Sequence, residues 1–266
     1  MQFDPRLETL DLILGGRLSI IQPIFGYRFA IDSILVGNFV RSRGQDRVLD
    51  LGAGCGVIAA MIALTQRPRE VVAVELQPLL AGLAARNAAL NRLANLHAFQ
   101  ADLRSRTVTG LAPGSFAWVV ANPPYRAVGT GRESPDPSRR LARGASGASL
   151  RDFVAAAARY ATNGGRVAIV FTAARTAELL AELRSQSLEP KRCRFVHPYA
   201  DSPATMILVE ARKGGGVEVS IEPPLVLWES AGVYTAEVRA ILNGATLAAP
   251  GRESSGDGDD PSGSTT

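Results

Sequence analysis

The stretch that decides the fold is Arg47-Val48-Leu49-Asp50-Leu51-Gly52-Ala53-Gly54-Cys55-Gly56. Its apolar start predicts a buried strand, and residues 57–65 continue as an apolar helix. Glycines between a strand and a helix allow a sharp turn and let a ligand approach the helix N-terminus closely. A dinucleotide-binding turn would have its third glycine at position 57, which is Val57 here. The stretch therefore predicts a ligand-binding turn of another kind.

The alternation of short apolar runs with longer amphipathic runs continues along the chain. Strands that are apolar on both faces and alternate with helices predict a parallel sheet with helices on each side, which right-handed crossovers make doubly wound. Further strands are predicted at residues 71–75, 96–99, 116–121 and 166–171, and further helices at 29–41, 79–91, 150–161 and 176–187.

The last two predicted strands, residues 192–197 and 204–210, are joined by a loop too short for a parallel crossover. We therefore expect an antiparallel hairpin at the C-terminal end of a mostly parallel, seven-stranded α/β sheet. Residues 217–243 contain two short strand-like runs and a helix-like run, but their pattern does not predict a position in the fold.

Length and composition predict one soluble, cytoplasmic α/β protein. The chain has 266 residues, 46% of them hydrophobic, and no apolar run reaches the roughly 18–20 residues of a membrane helix. Its N-terminus has no signal-peptide pattern. Two cysteines, Cys55 and Cys193, and two histidines are too few for a disulfide framework or a zinc site, so no metal is predicted.

Charge is unevenly distributed along the chain. The net charge is +4, but residues 251–266 contain one base and four acids, so residues 1–250 carry about +7. A basic body suits a polyanion such as nucleic acid, although 27 of the 29 bases are arginine, a bias that genome composition can also produce. We expect an N-terminal cofactor-flanking segment at 1–45, the main domain with its C-terminal appendage at 46–250, and a disordered tail at 251–266.

The Gly-x-Gly-x-Gly spacing, opened by an acid at the end of a strand, resembles the S-adenosylmethionine loop of class I methyltransferases. Two further acids, Glu75 and Asp102, follow the next two predicted strands. Open α/β sheets bind ligands at the carboxyl ends of their strands. Asp50 would sit near the cationic part of this cofactor, Glu75 would accept from both ribose hydroxyls, and Asp102 would accept from the adenine amino group.

After the strand at 116–121 comes Asn122-Pro123-Pro124-Tyr125, which two prolines make rigid and extended. An amine conjugated to a ring is a poor nucleophile, because its lone pair is delocalised. If the Asn122 side-chain oxygen and the Pro123 carbonyl hold its two hydrogens, the lone pair turns toward the methyl donor. Tyr125 offers a ring for base stacking, worth about 1–3 kcal/mol. The competing interpretation is an ordinary Asn-Pro turn.

Together these two motifs resemble the amino-group methyltransferases, which act on adenine N6, guanine N2 or glutamine N5. Segments at residues 14–18, 22–23, 26–32, 197–198, 208–214 and 234–237 resemble the bacterial tRNA adenine-N6 methyltransferases that modify a valine tRNA beside its anticodon. The resemblance covers about residues 10–243. It differs where family members carry Ala-Arg-His-Glu, because here Ala142-Arg143 is followed by Gly144-Ala145.

The motifs and the resemblance assign the site residues. The catalytic residues would be Asn122, Pro123 and Tyr125. The cofactor site would comprise Asp50, Gly52, Gly54, Gly56, Glu75, Asp102 and Asn122, flanked by Tyr27 and Asp32. A long arginine-rich segment after the motif suits a clamp on RNA phosphates, with a merely solvated loop as the alternative. Its predicted RNA-binding residues are Arg126, Arg139, Arg140 and Arg143.

Several alternative functions remain. A protein glutamine methyltransferase or a DNA adenine methyltransferase would need a substrate domain, whereas only 49 residues precede Asp50. A ribosomal RNA guanine-N2 methyltransferase is the second choice. A non-catalytic RNA-binding module is a different class, but it would have no use for the glycines, Glu75 and Asn122 of a methyl-donor pocket. The tRNA, its target base and the oligomeric state do not follow from the sequence.

Overall fold

The computed structural model describes residues 3–26, 28–125 and 148–245, which form thirteen strands and six α-helices. The strands are β1 Glu8–Ile13, β2 Leu18–Pro23, β3 Arg47–Leu51, β4 Glu70–Glu75, β5 Leu96–Gln100, β6 Phe116–Ala121, β7 Ala161–Thr172, β8 Leu188–His197, β9 Met206–Lys213, β10 Ser220–Ile221, β11 Leu225–Val226, β12 Trp228–Ser230 and β13 Val233–Tyr234. The helices are α1 Ile31–Phe39, α2 Val57–Thr65, α3 Pro78–Leu90, α4 Leu150–Tyr160, α5 Thr176–Ser185 and α6 Ala236–Leu242.

Seven long strands form the central sheet in the order β8-β9-β7-β6-β3-β4-β5. β9 is antiparallel to both of its neighbours, and the other pairings among these seven strands are parallel. The predicted mostly parallel sheet with an antiparallel C-terminal hairpin is therefore confirmed, but the sheet has nine strands instead of seven, because the short strands β10 and β11 also pair with β8. Parallel order brings the carboxyl ends of β3, β4, β5 and β6 to one edge, where the acids and the proline motif follow.

Side chains that point alternately to opposite sides of each strand divide the core between the two faces of the sheet. On β3, Val48 packs with α1, α2 and α3 on one face, whereas Leu49 and Leu51 pack with α4 and α5 on the other. The side-chain period of two in a strand produces this division. Burial on both faces explains why the strands are apolar throughout.

Residues 217–243, whose position the sequence does not predict, extend the sheet and cover one face. β10 and β11 each pair parallel with β8, at the edge of the sheet. β12 and β13 form a small hairpin in which Trp228 stacks on Tyr234, and α6 then adds Val238 and Ile241 to the core that contains α1. This appendage is therefore part of the folded body.

A second region that the pattern does not predict is the antiparallel hairpin of β1 and β2. β2 is almost wholly buried, and its outer edge faces α3. There the side chains of Asn87 and Asn91 hydrogen-bond the Ile21 and Ser19 backbones in place of a third strand. Since Asn87 and Asn91 are four residues apart, both lie on the helix face turned toward β2.

Several predicted boundaries change. β7 begins at Ala161 instead of residue 166, and β8 begins at Leu188 instead of residue 192. β8 continues past Pro190 because the ladder to β9 is irregular between Pro190 and Arg192. Within the described residues, no helix is both long and apolar enough to cross a bilayer.

Candidate functional site

The glycine turn between β3 and α2 requires glycine for two separate physical reasons. Gly52, Gly54 and Gly56 have φ angles of 68°, 57° and 83°, a region that L side chains rarely adopt. A β-carbon on Gly52 would lie 2.9 Å from the Phe153 ring, and one on Gly56 would lie 2.9 Å from the Ala84 side chain on α3. The turn is therefore tight in conformation and closely packed.

Glu75 is placed where the sequence predicts it, at the carboxyl end of β4 beside the glycine turn. Its Oε2 accepts from the Gly54 amide at 2.9 Å, and its Oε1 accepts from the Gln77 amide at 2.9 Å. These backbone bonds fix the carboxylate, which is 6% exposed. A carboxylate has about four acceptor positions, so each oxygen retains a lone pair for a hydroxyl donor.

Asp50 is completely buried at the end of β3. Its Oδ2 accepts from the Ala59 amide in the first turn of α2 at 3.1 Å, while its Oδ1 has no hydrogen-bond partner among the described residues. Burial raises the pKa of Asp50 to about 7, and the charge of Glu75 adds to that rise. A cation near this buried carboxyl would stabilise its ionised form, because Oδ1 has no hydrogen-bond donor among the described residues.

Asp102 follows β5 and lines a cleft at the same edge of the sheet. The walls of the cleft include Gly52, Glu75, Ala101, Asp102, Leu103 and Phe153. The Asp102 carboxylate accepts from the Arg104 guanidinium at 2.6–3.1 Å, and this partner lowers its pKa. The cleft therefore combines apolar walls with an acid at its rim.

The proline motif lies at the next strand end, against the N-terminus of α1. The Asn122 side-chain nitrogen donates to the Ser33 hydroxyl at 3.2 Å. The Tyr125 hydroxyl donates to Asp32 Oδ2 at 2.7 Å, and its ring contacts Phe171 edge to face at 5.9 Å. Arg175 donates to the Tyr125 carbonyl at 2.8 Å. The two polar side chains of the motif, Asn122 and Tyr125, are therefore held by residues outside it.

The predicted residues divide into two groups. The structure brings Asp50, the three glycines, Glu75, Asp102 and the proline motif to the edge formed by β3, β4, β5 and β6, and it places Asp32 beside Tyr125. The other predicted residues lie outside the described part of the chain. They are Tyr27, Arg126, Arg139, Arg140, Arg143 and the departure at Gly144-Ala145, together with the tail at 251–266.

Sequence reasoning missed Ser33, Asn87 and Phe153. Asn87 is fully buried and, besides its bonds to Ile21, donates to the Cys55 carbonyl in the glycine turn at 2.9 Å. An asparagine on an otherwise apolar helix face was the available signal, because a buried amide must find partners. Ser33 and Phe153 gave no signal, since their contacts come from segments distant in sequence.

The cysteines and a second cavity lie outside this chemistry. Both thiols are buried, and burial raises the pKa of Cys55 to about 12 and that of Cys193 to about 11.

A cavity of about 340 Å³ lies between α1, β8 and α6, and its charged side chains form ion pairs such as Arg192 with Glu222 and Arg194 with Glu237. In the part of the chain that the structure describes, no three His, Cys, Asp or Glu side chains group as metal ligands.

Comparison with known proteins gives three relevant similarities besides a family match. Residues 31–189 match the methyltransferase small domain family. A tRNA1(Val) (adenine(37)-N6)-methyltransferase of Aeromonas hydrophila is 32% identical over 206 residues, 77% of this chain and 84% of that protein. The release factor glutamine methyltransferase of Escherichia coli is 42% identical over 79 residues, 30% of this chain and 27% of that protein.

The third similarity is to a solved structure, a predicted O-methyltransferase from Agrobacterium tumefaciens. It has a TM-score of 0.67 and 24% sequence identity, and the match covers 82% of this chain and 98% of that one. At this identity the likeness shows the fold alone.

Proposed function

Because the chain belongs to the methyltransferase small domain family, with the class I fold and S-adenosylmethionine as cofactor, we propose that it methylates the N6 amino group of an adenine in tRNA. The observation that carries this proposal is the orientation of Asn122. Its amide nitrogen is bound to Ser33, which leaves the amide oxygen to accept from a substrate amine.

The described residues fit this cofactor. It carries a sulfonium, an ammonium, a ribose and an adenine, and when bound it supplies an electrophilic methyl group. Asp50 and Glu75 provide negative charge and acceptors beside the glycine turn, and Asp102 provides an acceptor at the rim of the apolar cleft. Gly52 and Gly54 adopt the positive φ angles that the tight turn beside these acids requires. We assign the cofactor to these residues, with the segment 1–45 flanking it through α1.

Catalysis in this proposal depends on positioning. Asn122 Oδ1 and the Pro123 carbonyl accept the two amine hydrogens, so the nitrogen lone pair is withdrawn from the ring and directed at the methyl group. One of these protons then leaves to solvent, and no strong base is required. Alignment of reacting groups can contribute roughly 7–11 kcal/mol to lowering a barrier. Tyr125, held by Asp32 and Phe171, supports the target base.

The choice of tRNA rests on the length of the similarity. The Aeromonas hydrophila relative matches this chain over most of both proteins, whereas the release factor methyltransferase matches over less than a third of either. The basic charge of residues 1–250 also favours RNA over a protein substrate. We place the phosphate contacts in the arginine-rich segment, with Arg126, Arg139, Arg140 and Arg143.

The test is a choice among substrates. The protein is incubated with labelled S-adenosylmethionine and, separately, with small RNA, ribosomal RNA and a release factor. Label in small RNA alone is the expected result. Label in ribosomal RNA or in the release factor alone would replace the proposed substrate by the corresponding alternative, and no label with any of them would contradict the proposal.

A further inference from the structure

One carboxylate at the start of α1 contacts the proline motif by two routes. Asp32 Oδ2 accepts from the Tyr125 hydroxyl at 2.7 Å. Asp32 Oδ1 accepts from the Ser33 hydroxyl at 3.4 Å, a long bond, and Ser33 Oγ in turn accepts from Asn122 Nδ2 at 3.2 Å. The two hydrogen bonds therefore run in a single direction, since Asn122 donates to Ser33 and Ser33 donates to Asp32.

That direction matters because Asn122 has two chemically opposite ends. A side-chain amide can face Ser33 with its oxygen or with its nitrogen. A hydroxyl can donate to the amide oxygen or accept from the amide nitrogen. A carboxylate can only accept, so the Ser33 hydroxyl donates its hydrogen bond to Asp32. The Ser33 oxygen is then left as an acceptor, which selects the Asn122 nitrogen and turns the Asn122 oxygen away.

Burial makes this selection effective. Ser33 is completely buried, so water has no access to replace either of its side-chain partners. A buried polar group without a partner is costly, and an amide in the wrong orientation would oppose two donors or two acceptors. The same end of α1 is held in place, because the Ser33 amide also donates to Asp32 Oδ1 at 2.7 Å.

We infer that Asp32 is a positioning residue for methyl transfer, which orients Tyr125 directly and Asn122 through Ser33. This inference rests on the proposed function, in which the Asn122 oxygen must accept from a substrate amine. It assigns a role to Ser33, which no motif indicates, and it links the N-terminal segment to the reacting nitrogen.

The test uses two substitutions, Asp32→Ala and Ser33→Ala, and their combination. In Asp32→Ala the acceptor shared by Tyr125 and Ser33 is removed. The Ser33 hydroxyl can then donate to the Asn122 oxygen, which reverses the Asn122 amide. In Ser33→Ala the Asn122 nitrogen loses its partner. We expect each variant to lower kcat about tenfold, the effect of one hydrogen bond of ordinary strength.

Three readouts separate positioning from a general structural effect. The KM for S-adenosylmethionine should change by less than about threefold, so that the loss lies in kcat. The double variant should lose no more than the worse single variant, because both act through the same bond. The control Ser185→Ala removes an exposed hydroxyl on α5 that donates to the Glu182 carbonyl, and it should leave kcat unchanged.

Unchanged kcat in either single variant would overturn the inference, as would losses that multiply in the double variant or a loss that lies wholly in cofactor affinity. Thermal unfolding of each variant confirms that it is folded under the assay conditions. Failure of the proposed function gives a different result, because the wild-type protein itself would then not methylate small RNA.

Discussion

The side-chain amide of Asn87 donates to the Ile21 carbonyl at 2.9 Å and accepts from the Ile21 amide at 2.8 Å, so one residue of α3 completes the edge of β2. The same amide nitrogen also donates to the Cys55 carbonyl. Asn87 therefore joins the N-terminal hairpin to the glycine turn between β3 and α2. The hairpin and the turn should lose stability together when this amide is removed.

The variant Asn87→Ala should lower the free energy of unfolding by about 2–4 kcal/mol, because three buried backbone groups lose their partner. Urea denaturation measures this change. Asn95→Ala is the matched control, since Asn95 is only partly buried and donates to the Pro68 carbonyl alone, and it should cost about 1 kcal/mol or less. Equal losses in the two variants would show that Asn87 does not join the hairpin to the turn.

Alanine substitutions at two glycines should change stability in opposite directions. Gly56 packs against α3, and Gly82 lies within it. Gly56→Ala places a β-carbon 2.9 Å from Ala84 at a φ of 83°, and we expect a loss of about 2–4 kcal/mol. Gly82 is exposed within α3 and has open space around it, so Gly82→Ala should raise stability by about 0.5–1 kcal/mol. Thermal unfolding of both variants measures these changes in stability. A stable Gly56→Ala protein would contradict the tight packing of the turn.

The raised pKa of Asp50 predicts that cofactor binding releases a proton. Below pH 7 much of the Asp50 carboxyl is protonated in the free protein, because burial raises its pKa to about 7. A bound cation favours the ionised form and lowers that pKa, so affinity should rise as the pH increases from 5 to 7.

Calorimetry at pH 6, in two buffers of different ionisation enthalpy, measures this release of protons. Asp50→Asn cannot ionise at this position, and it should bind more weakly with less proton release. The same proton release in wild type and Asp50→Asn would contradict the assignment of Asp50.

Much of the fold can be predicted from the sequence, for physical reasons that also explain the exceptions. The seven long strands are buried on both faces, so their apolar runs are visible locally. The β1–β2 hairpin is not evident in this way, because β1 has a polar and exposed face and β2 is paired by asparagine side chains some 66 residues away. β10 and β11 are two residues long and depend on the edge of β8 for their definition.

In the candidate site too, local sequence patterns can be predicted, whereas contacts between distant segments cannot. The glycines, Glu75 and the proline motif are local patterns with a chemical meaning, and the structure places all of them at one edge of the sheet. Ser33 is an ordinary helical serine in the sequence. Its contact with Asn122, 89 residues away, exists only in the folded chain.

Asn122→Ala should lower turnover by about 100-fold or more, because the acceptor that withdraws the amine lone pair is lost from the site of reaction. Cofactor affinity should change little, since Glu75 and the glycine turn remain. Single-turnover methylation and calorimetry measure the two quantities on the same preparation. Near-normal turnover would refute the lone-pair argument, and an equal loss of cofactor affinity would assign Asn122 to the cofactor instead.

In the function that we propose, this chain places a methyl group on N6 of an adenine in tRNA. Its most direct test is to label small RNA with the wild-type protein, digest the RNA to nucleosides and separate them by chromatography. We expect label to appear as N6-methyladenosine and to be lost with Asn122→Ala. Label recovered as N2-methylguanosine, or label that survives in Asn122→Ala, would contradict it.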